Sequence, residues 1–123
     1  MLEAKFDKGK NLLTVRYEGA VSASDTRKLA SEMKRSIADA ERGFRLLTDL
    51  SGLDAMELAC DPDIEQMMDF CNRKGVALIV RVIPDPRKDI GFNIMSLFHY
   101  NQEVRLITCE SLAEAARVLD QNA

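Results

Sequence analysis

The chain has little of what most catalytic and cofactor motifs are built from. Its 123 residues include one histidine, His99, so a Ser-His-Asp or Cys-His device would have to run through that one ring. His99 falls at the expected end of a helix, where the dipole favours a cation, and that structural role outweighs catalysis. The three cysteines, Cys60, Cys71 and Cys109, are dispersed and form no C-x-x-C. With one histidine they offer no metal-ligand spacing, and no metal is expected. Their odd number and wide separation fit a reducing, cytoplasmic setting, and a reactive thiol would need a lowered pKa. No G-x-G-x-x-G and no P-loop occurs, so no nucleotide or other cofactor is expected. No apolar run approaches the roughly 18 residues of a membrane-spanning helix. The first residues, MLEAKFDKGK, carry no apolar signal core, which argues against secretion. Net charge is −3 with both signs mixed along the chain, unlike the basic footprint of a nucleic-acid binder.

What is present is a globular composition. Apolar residues make up 46% and charged residues 30% of the chain, enough for a core and unlike a disordered segment. The length suits one domain, residues 1–123, around one core. Leu2, Ala4 and Phe6 alternate with charged residues, and so do Leu13, Val15 and Tyr17. With Lys8-Gly9-Lys10-Asn11 between them, they predict an antiparallel hairpin ended by Gly19. Ser22 or Ser24 can cap a helix whose buried stripe is Leu29, Met33, Ile37 and Ala40, with Gly43 just beyond.

The stretch Phe44–Pro62, FRLLTDLSGLDAMELACDP, organises the rest. Its apolar start predicts a strand through Leu50, broken near its end by Asp49 and Ser51. A loop should follow to Pro62, with Asp61 as N-cap and Pro62 as first helical residue of a second helix. Open α/β sheets place their sites at such strand ends. The second helix carries Ile64, Met67, Met68 and Cys71, and ends at Arg73-Lys74-Gly75. Val76–Ile83, VALIVRVI, is nearly all apolar and predicts a central strand covered on both faces.

A second Asp-Pro pair opens a third helix, expected over Arg87–Tyr100. Ile90, Phe92, Ile94, Met95, Leu97, Phe98 and Tyr100 point in nearly every direction, so this helix needs cover on more than one side. The cover is either its own sheet and a neighbouring helix, or a partner, a second copy, or a lipophilic ligand. Val104, Leu106 and Ile107 give a last strand. Ser111 and Glu114 form a capping box for a final helix, with Leu112, Ala115, Ala116 and Leu119 expected against the sheet. The order β-β-α-β-α-β-α-β-α predicts an α/β fold with a mixed sheet of about five strands and about four helices, mostly parallel after the first strand.

The carboxylates Asp54, Glu57, Asp61 and Asp63 crowd the central loop. They could hold a cation or work as an acid–base pair, but capping and solubility explain them better. An enzyme built on them or on Cys60 lacks a converging acid, base and nucleophile, so a non-enzymatic role is expected.

Thr48-Asp49-Leu50-Ser51-Gly52-Leu53, after an apolar strand and before a helix, resembles the D-L-S-G-V segment of STAS domains, found in anti-sigma-factor antagonists and sulfate transporters. VALIVRVI and the terminal S-L-A-E-A helix also stand where that family has them. The resemblance therefore spans nearly the whole chain and is of the divergent SpoIIAA-like kind. It implies a non-catalytic signalling module that binds a protein partner, kinase-like or another regulator. The surface expected is the stretch Ser51–Pro62 and the adjoining helix; Asp49, Ser51 and Gly52 are the residues the resemblance carries over as organisers of the site, and with Glu57 and Asp61 they make up the expected partner-binding set. Signalling STAS domains carry D-S-S-G at the second helix start, with a phosphorylated serine. Met56–Pro62 contains no Ser or Thr, so that switch does not transfer, and Asp61 already brings a carboxylate to the helix start. The alternative is a carrier or sensor of an apolar small molecule beside the third helix, lined by Phe92, Met95, Phe98 and Tyr100. A homodimer through that helix is compatible with either. Neither nucleic acid nor membrane insertion is expected.

Overall fold

A computed structural model describes every residue except Met1 and Ile90, with Lys88 described in its backbone only. Ile90, counted above in the third helix, lies outside the described residues. The strands are β1 (Leu2–Asp7), β2 (Leu12–Val21), β3 (Arg45–Met56), β4 (Leu78–Val82) and β5 (Arg105–Cys109). The helices are α1 (Ala23–Ser36), α2 (Asp61–Lys74), α3 (Phe92–His99) and α4 (Leu112–Gln121). The element order is the one expected. The sheet runs β1-β2-β3-β4-β5, with β1 antiparallel to β2 and every later pair parallel. Each parallel step needs a crossover, and the helices supply them.

Two apolar layers follow from strand alternation. On one face Leu13, Val15 and Tyr17 of β2 and Leu46 and Leu50 of β3 pack against Leu29 and Met33 of α1 and Ile64, Met67 and Met68 of α2. Phe92 and Met95 of α3 join this layer. On the other face Leu78, Val80 and Val82 meet Ala115 and Leu119 of α4. Thus β4 is buried on both sides, as its apolar run predicts. The residues of β4 that point to the first layer are Ile79 and Arg81, so the one charged residue of the strand lies inside, 2% exposed.

Several boundaries differ from expectation. Gly19 does not end β2. It takes φ +71°, and register shifts on either side let the strand continue to Val21. Bulges of this kind bend a strand without ending it. The partner strand follows: β3 does not give way to a loop after Leu50 but stays paired to β2 as far as Met56. Because β4 pairs only with Arg45–Asp49, the ends of β2 and β3 project beyond the rest of the sheet as a two-stranded ribbon. Asp61 is not the N-cap of α2. A short 3-10 turn, Leu58–Cys60, runs into the helix, so Cys60 holds the cap position in a helical conformation and no side chain caps it. α1 is capped as expected: Ser22 Oγ accepts from Asp25 N, and Asp25 Oδ2 accepts from Ser22 N. Its helix stops at Ser36, and a 3-10 turn carries Ile37 into the core. The expected third helix is split into a 3-10 turn, Pro86–Asp89, and α3, with Gly91 at φ +83° before Phe92. In α4, Leu112 and Ala116 face outward instead of toward the sheet. Ala115, Val118 and Leu119 form the buried stripe, and Ala116 lies a 100° step away from it.

Candidate functional site

Asp49 closes the part of β3 that is flanked by strands on both sides. It is buried, yet its carboxylate is fully engaged. Oδ1 accepts from the backbone N and the Oγ of Ser51, at 3.0 and 2.6 Å. Oδ2 pairs with Arg16 Nε of β2 at 3.2 Å. Asp49 therefore pins the start of the projecting ribbon and has little capacity left for a partner. Ser51 and Gly52 lie exposed on the ribbon. A Cβ at Gly52 would stand 3.0 Å from Glu18 Cγ of β2, so the close strand approach favours glycine there.

The predicted acidic cluster divides between two jobs. Glu57 Oε1 accepts from Ala23 N at 3.2 Å, at the start of α1, and Glu57 N donates to Val21 O at 3.2 Å. Asp63 Oδ2 accepts from Thr26 Oγ1, at 2.9 Å, from a threonine with no exposed surface. These two carboxylates tie the α1 and α2 starts together. Asp61 opens α2 with its charge near the positive end of the dipole, and Asp54 lies exposed on the ribbon. Among the described residues no group of three or more His, Cys, Asp and Glu could hold a metal ion.

Between Glu57 and α2 the chain presents Leu58, 86% exposed. Sequence reasoning passed over it. Its signal was a lone leucine with acidic neighbours and no periodic apolar partner.

The cysteines lack the surroundings of a nucleophile. Burial pushes the thiol of Cys71 up to about 12 and raises those of Cys60 and Cys109 as well. A reactive cysteine needs the opposite shift. His99 bridges helices: Nδ1 lies 2.7 Å from Asp69 Oδ1, and Nε2 lies 3.9 Å from Glu65 Oε1, both on α2. Its structural role is thus to fasten the end of α3.

A small cavity lies between the sheet and α2 and α3. Its volume is about 30 Å³. Phe92 and Tyr100, two of the four predicted ligand residues, line it. Met95 is buried in the adjoining core without lining it. Phe98 does not belong to it: it is 79% exposed and forms an outward stripe with Ile94 and Leu97, at i, i+3 and i+4 on one helix face. α3 thus carries apolar side chains on its inward and outward sides, interrupted by Asn93, Ser96 and His99, and only its inward side is covered within this chain.

The residue missed in this cavity is Arg81. Nη1 donates to Asn93 Oδ1 at 3.1 Å and Nη2 to Ser96 Oγ at 2.6 Å, both on α3. The guanidinium carbon lies 5.3 Å from the centre of the Phe92 ring, whose edge meets Tyr17 at a centroid distance of 5.9 Å. Nε is buried and has no hydrogen-bond partner. Burial lowers the pKa of Arg81 and pushes the hydroxyls of Tyr17 and Tyr100 well up, only partly offset by the arginine's charge. The signal was available: a single arginine inside VALIVRVI, in a strand whose pattern demands burial on both faces.

No protein-family model matches the chain, and no curated protein matches it. Solved structures do match. An uncharacterised DUF3478-family protein with a SpoIIAA-like fold, from Shewanella loihica PV-4, superposes with a TM-score of 0.71 at 12% identity, over 97% of this chain and 92% of that one. The unphosphorylated anti-sigma factor antagonist SpoIIAA gives 0.65 at 10% identity, over the whole of both chains. The phosphorylated Bacillus cell fate determinant SpoIIAA gives 0.66 at 12% identity, over 96% and 99%.

The fold is SpoIIAA-like. On the SpoIIAA-like fold of this chain the candidate surfaces are separate. The Leu58 turn crowns the N-terminal end of α2, whereas the Arg81 cavity lies beneath α3. No helix of the described residues is long and apolar enough to cross a membrane.

Proposed function

We propose that this chain is a single-domain, non-catalytic, cytosolic regulatory module that binds a protein partner through the projecting ribbon and the turn at the head of α2. The observation that carries the reading is Leu58, 86% exposed on a turn anchored by both hydrogen bonds of Glu57. Covering an exposed leucine takes its apolar surface out of water, a gain of about 1.5–3 kcal/mol when the side chain is fully buried. Asp54, Glu57 and Asp61 surround it in sequence, so the complementary partner has an apolar pocket with a basic rim. Ser51 and Gly52 extend this surface along the ribbon, and Asp49 acts through the position of Ser51.

Two of the similar structures are phosphorylated and unphosphorylated forms of one regulator. This chain has no Ser or Thr in Met56–Pro62, and Asp61 supplies a permanent carboxylate to the first turn of α2. The module is therefore held in one state, or reads an input other than phosphate at that turn. The test is affinity capture from cells of the source organism with the wild-type chain and with Leu58→Asp. The reading expects a partner retained by the first and lost by the second, with both chains equally folded. Equal retention by both would overturn it. Stoichiometric transfer of phosphate from ATP to Ser51 by a co-purifying kinase would overturn the one-state reading.

The cavity favours a second reading, a carrier or sensor of a small molecule held beneath α3. Native mass spectra before and after denaturation test it: a discrete mass lost on denaturation supports it, and a clean chain mass counts against it. In either reading the stripe Ile94, Leu97 and Phe98 is the face through which two copies would pair.

A further inference from the structure

We infer that the cavity beneath α3 takes a small organic monoanion, a carboxylate with a short apolar tail, whose head pairs with Arg81. This inference rests on the second reading above and names its ligand class.

A guanidinium remains charged at neutral pH and presents five N–H donors. Arg81 is 2% exposed, and none of the ion pairs among the described residues includes it. Its two hydrogen-bond partners, Asn93 and Ser96, are neutral. Its Nε–H is the buried donor left without a partner. Buried charges in proteins are normally paired, and buried donors are normally satisfied. The Asp89 carboxylate favours the Arg81 charge without forming an ion pair with it, the Nε–H donor has no partner at all, and the side chain that carries both lines a cavity.

The open edge of the guanidinium has the shape of a carboxylate site. Nε–H and the Nη2 amino group lie side by side, and Nη2 has a second hydrogen beyond the one given to Ser96. Two parallel N–H groups suit the two oxygens of a carboxylate. Thr48 and Tyr100 add hydroxyls to the lining, and Val15, Met67 and Phe92 add apolar surface for a tail. The space of about 30 Å³ admits the head group alone. A tail requires α3 to lift, and α3 is an eight-residue helix that starts after Gly91 at φ +83°.

The test uses the full chain, with hexanoate and 1-hexanol as probes at neutral pH. Proton–nitrogen spectra follow both the backbone amides and the arginine Nε–H signals. The inference expects hexanoate to shift the Arg81 Nε–H signal downfield with saturation, and 1-hexanol to bind at least about tenfold more weakly. Arg81→Met should remove the preference. Equal binding of the two probes, or hexanoate shifts in the lining residues with Arg81 Nε–H unmoved, would overturn the anion site and leave the small-molecule reading standing. No shift of any lining residue by either probe at millimolar concentration would overturn both. If Arg81→Met does not fold, the wild-type Nε–H signal decides.

Discussion

Arg81→Met should leave the unliganded chain close to the wild type in stability, although it removes the largest of the fully buried side chains. The losses are two hydrogen bonds from a charged donor, each about 1.5–3 kcal/mol net, and the guanidinium's contact with the Phe92 ring. Neither acceptor is stranded. Ser96 Oγ still donates to Phe92 O at 2.7 Å, and Asn93 lies on the exposed side of α3, where water replaces the arginine. The gains are of similar size. A buried charge without an ion pair carries an effective desolvation cost of several kcal/mol, and the unpartnered Nε–H adds about 1–3 kcal/mol. Methionine keeps most of the length of the side chain and fills irregular space well. The expected change lies within about 2 kcal/mol of zero. At about 4 °C per kcal/mol for a chain of this size, the melting temperature should stay within about 8 °C of the wild type. Arg81→Ala should instead lose about 2–4 kcal/mol, because it opens a void between sheet and helix. Thermal and urea unfolding followed by circular dichroism measure both. A loss of more than about 2 kcal/mol in Arg81→Met would show that the charge is compensated in the native chain, and the account of an unpaired arginine would fail.

The two tyrosines of the chain give a pH test. Burial raises both Tyr17 and Tyr100 above the ordinary range, so in the native state they stay protonated where the unfolded chain ionises. Their contribution to stability is fully present below about pH 10 and declines as pH rises above it. Phenolate absorbance should stay flat through that point in the native chain and appear there in urea; a normal native titration would refute the burial. The cysteines should resist iodoacetamide at neutral pH until the chain unfolds, with Cys71, pushed up to about 12, the slowest; mass spectra of the labelled native chain check this. Phe98→Asp should leave the unfolding free energy within about 0.5 kcal/mol of wild type, since the ring is 79% exposed, while shifting any dimer seen by sedimentation toward monomer. Thr26→Val should cost about 1–3 kcal/mol in urea unfolding, because it removes the hydroxyl that donates to Asp63 and leaves that carboxylate short of a partner at the α1–α2 junction.

The fold was legible because its signals were local and periodic. Alternation in β1 and β2, the stripes of α1 and α2, and the continuous run of β4 each name an element from neighbouring residues alone. Boundaries were lost where a partner strand overrode local punctuation. Ser51-Gly52 reads as a stop, yet β3 continues because β2, bulged at Gly19, continues beside it. No residue within Ser51–Met56 records that pairing. The acidic cluster was located by sequence but not sorted, since the bonds of Glu57 to Ala23 and Asp63 to Thr26 cross 34 and 37 residues.

The third helix shows the same limit from the other side. Composition alone said that α3 needed cover on several faces, and the structure divides those faces: Phe92 and Met95 inward, Ile94, Leu97 and Phe98 outward. The division depends on Gly91, whose left-handed turn resets the helical phase after the 3-10 segment. A single wheel drawn over Arg87–Tyr100 could not produce it. That turn also brings Asn93 and Ser96, 12 and 15 residues further along the chain, over Arg81. A charged residue in the middle of an apolar strand is the kind of local conflict that a sequence tuned only for stability would remove. Its burial with neutral partners, beside a cavity, is why Arg81 rather than the motif Asp49-Leu50-Ser51-Gly52 is the residue whose chemistry the fold leaves unfinished.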